Sequence, residues 1–371
     1  KNIGCFFRFP LDIGVRFWYN IIDKTFCQIF LHHIFQESQT EMPAKAKITD
    51  VARAAGVSVT TVSHTLSGRR PVGEEVRGRV LRAIRELNYR PNYFAGAMKQ
   101  NRTGLVGILV DQCRNAATGI LLEGMEQELG SRGYEIVLGI AGLDRAKGTR
   151  LLEKFASGMV DGVINMLPQL SSDEAELIAP SLPLVTHLRQ ASAPVYIDYE
   201  EGARQAFEYL RGLGHRRIGC ISSRRRRMNA ADPVLDGCRS FLASIGETPD
   251  PALFADGDDT IDGGRRAAAQ LLEQGVTAIF AANDQMALGA YQRAYALGLR
   301  IPEQLSVIGY DDTPQAISVY PLLTSVQIPF GEIARYTVEG LLRKLDGEAQ
   351  PLQPRVIHPQ LIVRNSTGIP A

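Results

Sequence analysis

From Gly104 onward, short apolar runs alternate with amphipathic stretches of helical period, and this alternation constrains the fold more than any other feature. The runs at 105–110, 135–139, 162–166, 184–186, 217–221, 278–281 and 306–309 read as parallel strands covered on both faces. The stretches at 119–132, 149–157, 201–213, 236–245, 262–274 and 285–297 read as the helices that cover them. Regular alternation of this kind requires an α/β, doubly wound architecture with right-handed crossovers. Such sheets bind ligands beyond the C-terminal ends of their strands. The length of the region points to two sheets rather than one.

Charge is distributed unevenly. The 371 residues carry a net +1, yet residues 44–102 hold twelve Lys/Arg against four Asp/Glu. A small basic module on a mildly acidic body is the footprint of a nucleic-acid partner, with a solvated charged surface as the alternative. The five cysteines show no CxxC pair and no histidine at ligand spacing, so neither a zinc site nor a disulfide framework is expected. That usage fits a reducing compartment. Charges interrupt every apolar run before it reaches membrane-spanning length.

The first 41 residues do not match the rest. They hold Trp18, which is the one tryptophan, half of the phenylalanines and two of the five cysteines, without a clean helical or strand period. The first methionine is Met42, and MPAKAKITDVARAAGVS reads as a natural start. Residues 1–43 are therefore set apart from the fold as upstream translated sequence or an artefact, with a membrane or partner-binding anchor as the alternative.

Beyond them the pattern turns helical. Thr49 is placed to cap a short helix with Val51, Ala52 and Ala55 on one face. Gly56 supplies a tight turn, and Ser58 caps a second helix running to about Leu66, with Val62 and Leu66 toward the first. Two short helices joined by a Gly-containing turn are the helix-turn-helix pattern. Val59, Thr60, Thr61, Ser63 and His64 then form a small, hydroxyl-rich, cationizable face suited to base edges and phosphates in a major groove. A third helix over 74–87 turns Val76, Val80, Ile84 and Leu87 inward and its arginines outward. Pro91 stops it, and Asn92 can cap a further helix of about two turns over 93–99. So short a helix is marginal alone, and Gly96 costs it about 1 kcal/mol more. It orders only when something holds it, which is what a switchable hinge requires.

The segments ITDVARAAGVSVTTVSHTLSG and RVLRAIRELNYRPN resemble the headpiece of the lac repressor (LacI/GalR) family in content and spacing. GLGHRRIG, AIFAANDQMALGAYQRAYALGLRIPEQLSVIGYDD, PLLTSVQIPF and LIVRNST resemble its core, so the resemblance runs from about Ile48 to Gly368. It implies a DNA-binding headpiece at 44–90, a hinge helix and linker at 91–103, and a periplasmic-binding-protein-like (type I) core at 104–371. The first lobe of that core would take about 104–197 and 328–357, and the second about 198–327 and 358–371. By the same resemblance Val59, Thr60 and His64 fall at base-reading positions. Thr49, Ser58, Thr61, Ser63, Tyr89 and Asn92 fall at phosphate-contacting positions. Met98 stands where a leucine usually wedges into the minor groove. A homodimer on a pseudo-palindromic double-stranded operator is implied, cytoplasmic and associated with the nucleoid through that operator.

The resemblance also implies a small-molecule effector in the cleft between the lobes. Asn115, Asn283 and Asp311 match effector-binding positions and are able to grip hydroxyls, with turn and cap residues at strand ends as the alternative. Asp259, the fourth candidate for effector binding, stands at a common aromatic position, Ala117 and Thr118 replace an aromatic pair, and Val234 replaces an arginine. Loss of aromatic platforms argues against ordinary hexose or purine recognition. The four arginines at 224–227, if turned into the cleft, favour a sugar acid or sugar phosphate over a plain sugar, and a solvated loop is the alternative.

Two rival classes share such a core. An α/β enzyme would need a site, and the chain holds no GxGxxG after a strand, no GxxxxGK[ST], no HExxH and no GxSxG. The adjacent pairs Asp258 with Asp259 and Asp311 with Asp312 are poor evidence of acid/base chemistry by themselves. A solute-binding protein would lack the basic headpiece. The expectation is a regulator, by default a repressor of a carbohydrate or related metabolite operon, without catalytic residues, metal or cofactor. No leucine heptad follows LIVRNST, which favours a dimer over a tetramer.

Overall fold

The computed structural model describes residues 46–68, 70–90, 102–186, 193–223, 232–348 and 353–371. The chain forms two compact units, Lys1–Tyr93 and Phe94–Ala371. In the first unit, α1 (Ile48–Ala55), α2 (Val59–Ser67) and α3 (Glu74–Glu86) close on a small core of Val51, Ala52, Ala55, Val62, Val80 and Ala83. Gly56 takes a left-handed φ of 64°, which makes the sharp turn between α1 and α2 without a Cβ penalty. Ser58 caps α2 as expected, its Oγ accepting the Thr61 N–H at 3.1 Å.

Three details differ from the expectation. The α1 helix starts at Ile48 behind Lys47, whose N–H donates to the Asp50 carboxylate at 2.9 Å. Thr49 therefore lies within the first turn and caps nothing. Leu66 and Leu87 are exposed rather than turned inward. Val62 is the buried residue of α2, and Leu87 is the cap beyond α3, after which Asn88 swings away with φ 47°.

The second unit opens with β1 (Leu105–Val110), α4 (Ala116–Gly130), β2 (Glu135–Ile140), α5 (Arg145–Lys154), β3 (Gly162–Asn165), α6 (Ser172–Ile178), β4 (Leu184–Thr186) and β5 (Val195–Ile197). There follow α7 (Tyr199–Gly212), β6 (Ile218–Ser222), α8 (Pro233–Ser244), β7 (Phe254–Asp256), α9 (Ile261–Glu273), β8 (Ala278–Ala281), α10 (Asp284–Ala296) and β9 (Ser306–Asp311). The chain closes with β10 (Thr324–Gln327), α11 (Phe330–Leu345), β11 (Arg355–Ile357) and β12 (Gln360–Ile362).

One parallel sheet has the order β2-β1-β3-β4, the other the order β12-β10-β9-β8-β6-β7, in which only β12 runs antiparallel to its neighbour. Strand β5 pairs in parallel with β11. The chain passes between the two halves three times, after β5, after β10 and after β11. Both sheets are doubly wound. Strand order reverses at β1/β3 in one and at β6/β8 in the other, and the crevice that such a reversal leaves is where a ligand fits. The expected α/β class and all seven expected strands are present. The short β5, β7, β10, β11 and β12 and the helices α6 and α11 were not anticipated.

The interior of the larger sheet is apolar and aromatic, with Phe207 and Phe280 edge-to-face at 5.8 Å between ring centroids. One polar group at its edge closes the fold. His215, in the GLGHRRIG segment, is buried, with Nδ1 2.8 Å from Thr277 Oγ1 and Nε2 2.9 Å from the Gly368 carbonyl and 3.0 Å from Ser306 Oγ. It ties the C-terminal tail to the starts of β8 and β9. Burial lowers its pKa below the ordinary histidine value. The unfolded chain therefore binds the extra proton, and this stabilisation is present above about pH 6.5 and lost as pH falls below it. In urea unfolding the stability of His215→Gln relative to the native chain should rise as pH falls from 7 to 5, because the variant lacks this titration. A pH-independent difference would take His215 out of the pH response.

Candidate functional site

The headpiece surface is set by what α2 does not contain. It has no acidic residue, and its outer positions carry Val59 and Thr60 exposed with Thr61, Ser63 and His64 half-buried. Ser58 Oγ and Thr61 Oγ1 lie 2.9 Å apart, so both hydroxyls sit at the positive N-terminal end of the helix, where an anion is favoured. Ser58 is first of all a cap, and a phosphate contact uses what its oxygen has left. Arg77, Arg79, Arg82 and Arg85 on α3 are exposed. Tyr89 packs half-buried against the headpiece core, and that burial raises the pKa of its hydroxyl. Thr49 is exposed in the first turn of α1. Asn92 and Met98 lie outside the described residues, as do the arginines at 224–227.

In the core, the four sequence-predicted effector residues stand at C-terminal strand ends and are all buried. Asn115 follows β1 and caps α4, its Oδ1 accepting the Ala117 N–H at 2.8 Å. Asn283 follows β8 and caps α10, its Oδ1 accepting the Met286 N–H at 2.8 Å. The capping role weighed for Asn283 is therefore real, and it leaves the Asn283 amide nitrogen to donate to Asp259 Oδ1 at 3.3 Å. Ser223, just past β6, also donates to Asp259 Oδ1. Across the gap between the sheets, Gln285 Nε2 donates to the Arg114 carbonyl at 3.3 Å, which brings the start of α10 next to the cap of α4. Residues past the ends of β6, β7 and β8 thus meet at the switch point of the larger sheet, and Arg114 after β1 touches the start of α10.

The two aspartate pairs prove to be backbone devices. Asp258, Asp259, Asp311 and Asp312 all have left-handed φ, at 49°, 65°, 98° and 53°. Aspartate tolerates this region better than most residues, and held turns of this kind cluster at ligand sites.

Asp284, which the sequence reading passed over, supports the second turn from behind. Its carboxylate accepts from Thr313 N at 2.7 Å, Thr313 Oγ1 at 2.8 Å and Ser325 Oγ at 2.6 Å, while Ser325 Oγ accepts the Asp312 N–H at 3.2 Å. Asp312 itself pairs with Arg364 at 2.6 Å. Burial, and then the Asp311 charge, push the Asp284 pKa up to about 7. Asp111 after β1 and Asp232 at the start of α8 are further buried carboxylates that were missed. The available signal was an aspartate directly after an apolar strand or directly before a helix.

A headpiece of this build joined to a core of this build defines a DNA-binding transcriptional regulator, a class of proteins distinct from enzymes. The family model described as bacterial regulatory proteins, lacI family, matches residues 47–92, and that of the periplasmic binding protein-like domain matches 207–367. The chain is 32% identical over 329 residues to the HTH-type transcriptional repressor PurR of Vibrio atlanticus (strain LGP32), covering 86% of this chain and 98% of that one. It is 32% identical over 330 residues to the ribose operon repressor of Escherichia coli (strain K12), covering 86% and 99%. Among solved structures, the lac repressor dimer bound to operator and the anti-inducer ONPF superimposes with TM-score 0.73 at 26% identity, covering 87% of this chain and 99% of that one. The transcriptional regulator CelR–cellobiose complex gives TM-score 0.64 at 32% identity, covering 87% and 100%. The chain belongs to the lacI family of bacterial regulatory proteins. Among the described residues no helix is long and apolar enough to cross a membrane.

The raised Asp284 pKa carries a testable consequence. The folded core takes up a proton that the unfolded chain lacks between about pH 4 and 7, so this group weakens the fold as pH rises through that window. Asp284→Asn removes the titration at the price of altered hydrogen bonds, which is a constant offset. The stability of the variant relative to the native chain should rise by roughly 2–4 kcal/mol between pH 4 and pH 7.5. A pH-independent difference in urea unfolding would show that Asp284 stays ionised.

Proposed function

We propose that the chain is a repressor of a carbohydrate or related metabolite operon, acting in the cytoplasm as a homodimer on a pseudo-palindromic operator. The observation that carries the DNA half is the acid-free, hydroxyl-capped α2, presenting Val59, Thr60 and His64 toward base edges. Thr49, Ser58, Thr61, Ser63, Tyr89 and Asn92 then position the headpiece on phosphates, and Met98 wedges the minor groove between the half-sites. Contacts to phosphate fix register, and contacts to base edges choose the sequence.

Effector control rests on the cluster of Asn115, Asp259, Asn283 and Asp311 between the two sheets. Carboxylates and amides at this density suit a small polyhydroxylated ligand, whose hydroxyls donate to Asp259 and Asp311 and accept from the asparagine amides. A sugar satisfies this set directly, whereas a sugar acid or sugar phosphate draws on the arginines at 224–227. The similarity to the CelR–cellobiose complex and to the ribose operon repressor supports this class. Effector binding shifts the operator affinity only by its preference for one of two lobe arrangements.

His64→Ala should relax base preference at one position of the half-site by roughly 1–3 kcal/mol while leaving the phosphate-driven part of binding intact. An unchanged specificity profile would remove His64 from the reading surface. Asp311→Ala should leave operator affinity unchanged and abolish the response to any sugar that shifts the native protein. A retained response would move the effector site elsewhere.

A further inference from the structure

The core begins, on the linker side, at a joint built from three separate places in the first half. Asp161, in the turn before β3, accepts three hydrogen bonds from the chain as it arrives: Thr103 N at 2.6 Å, Thr103 Oγ1 at 2.9 Å and Gly104 N at 2.8 Å. Thr103 Oγ1 in turn accepts the Leu105 N–H at 3.1 Å, which locks the residue into the start of β1. One residue earlier, Arg102 reaches the C-terminal end of α11, with Nη2 3.5 Å from the Leu345 carbonyl and 3.6 Å from Asp346 Oδ1. Burial raises the pKa of the nearby Tyr134 hydroxyl, with Arg102 opposing and the Asp161 and Asp346 charges adding to the rise.

Packing does little of this holding. The joint sits over an open groove of about 910 Å³ lined by Arg102, Thr103, Asp161, Leu182 and Leu345 among others, and the Arg102 side chain is largely exposed. Side-chain hydrogen bonds and charge fix the chain here, so the fixation can be removed without opening the hydrophobic core.

The far ends of the elements that meet at the joint lie at the effector cluster. Helix α11 starts directly after β10, where the chain leaves the larger sheet, and its 16 residues span roughly 24 Å to Leu345. Beside it runs α4, which begins at the Asn115 cap. The two helices approach so closely that a Cβ on Gly124 would stand 2.8 Å from the Ala334 Cβ, leaving no room to slide independently. A change of angle between the sheets therefore reaches Arg102 through rigid, packed parts.

We propose that Asp161, with Thr103, Arg102 and Asp346, is the coupling joint that transmits the lobe arrangement of the core to the linker. They are assigned as positioning residues, acting through the linker. The proposal rests on the regulator reading, and mutations along such couplings change them by about 2- to 30-fold. Because coupling is reciprocal, operator binding must also be felt in the core, and no effector is needed to see it.

The test uses the full chain and a duplex that the native protein enriches from a randomised pool; failure to enrich any duplex would be the failure of the DNA reading and is thus told apart. Hydrogen exchange is followed with and without that duplex in α2 and in the β9 turn around Asp311. In the native protein the duplex should slow exchange in α2 and change it at least twofold in the β9 turn. Asp161→Asn should keep the α2 protection and lose the β9 change, with an unaltered melting temperature for the core. Thr103→Val and Arg102→Gln should each reduce the change in part, and Thr103→Ser should restore it. A native-like β9 change in Asp161→Asn would overturn the proposal, as would a native core that does not sense the duplex at all.

Discussion

Strands buried on both faces can carry no chemistry along their length, because every side chain they hold must pack against a helix. In β1, β3, β6, β8 and β9 nearly every residue is buried, and the polar groups that the chain needs are pushed to where the strands stop. That constraint brings Ser223, Asp259 and Asn283 together although none is near another in sequence, and it puts Asn115 and Asp311 at strand ends as well. It also explains why so many are caps. The residue that ends a strand in this fold begins a helix, and a short polar side chain there satisfies backbone N–H groups before it satisfies anything else.

What was legible in the sequence follows from the same rule. Long apolar strands and Gly- or Asn-bounded helices announce themselves, so the seven strong strands, the headpiece and the α/β class could all be read. The three-residue strands β5, β7 and β11 lack the fully buried pattern of the equally short β4, and they pair only because their neighbours are already in place. The cap of α2 could be read because Ser58 and the helix after it agree. The start of α1 could not, since Asp50 reaching back to Lys47 competes with Thr49 and wins on geometry. Leu66 and Leu87 look like core residues by spacing alone, and each lies at or past a helix end where the stripe has turned away.

The polar cluster proposed to hold an effector was legible in part of its membership and not in its support. Asn283 and Asp311 are visible as polar residues after apolar runs. Asp284, although adjacent to Asn283, is visible only through its three hydrogen bonds, which tertiary structure alone creates. The left-handed backbone at both aspartate pairs gives those pairs a meaning that composition could not. They are turn formers that aim a carboxylate, and acid/base chemistry is not required to explain them.

The headpiece is a small module whose core is mostly alanine and valine, and its charge is what gives it a partner. The most direct measurement is to challenge the full chain with a randomised duplex pool and then follow the affinity of the recovered duplex and of a scrambled one over a range of salt. The account predicts an enriched palindrome, a steep loss of affinity with salt for both duplexes, and a large affinity ratio between them at every salt concentration. Salt-sensitive binding with no enriched sequence would contradict it, because phosphate attraction alone would then account for everything α2 does.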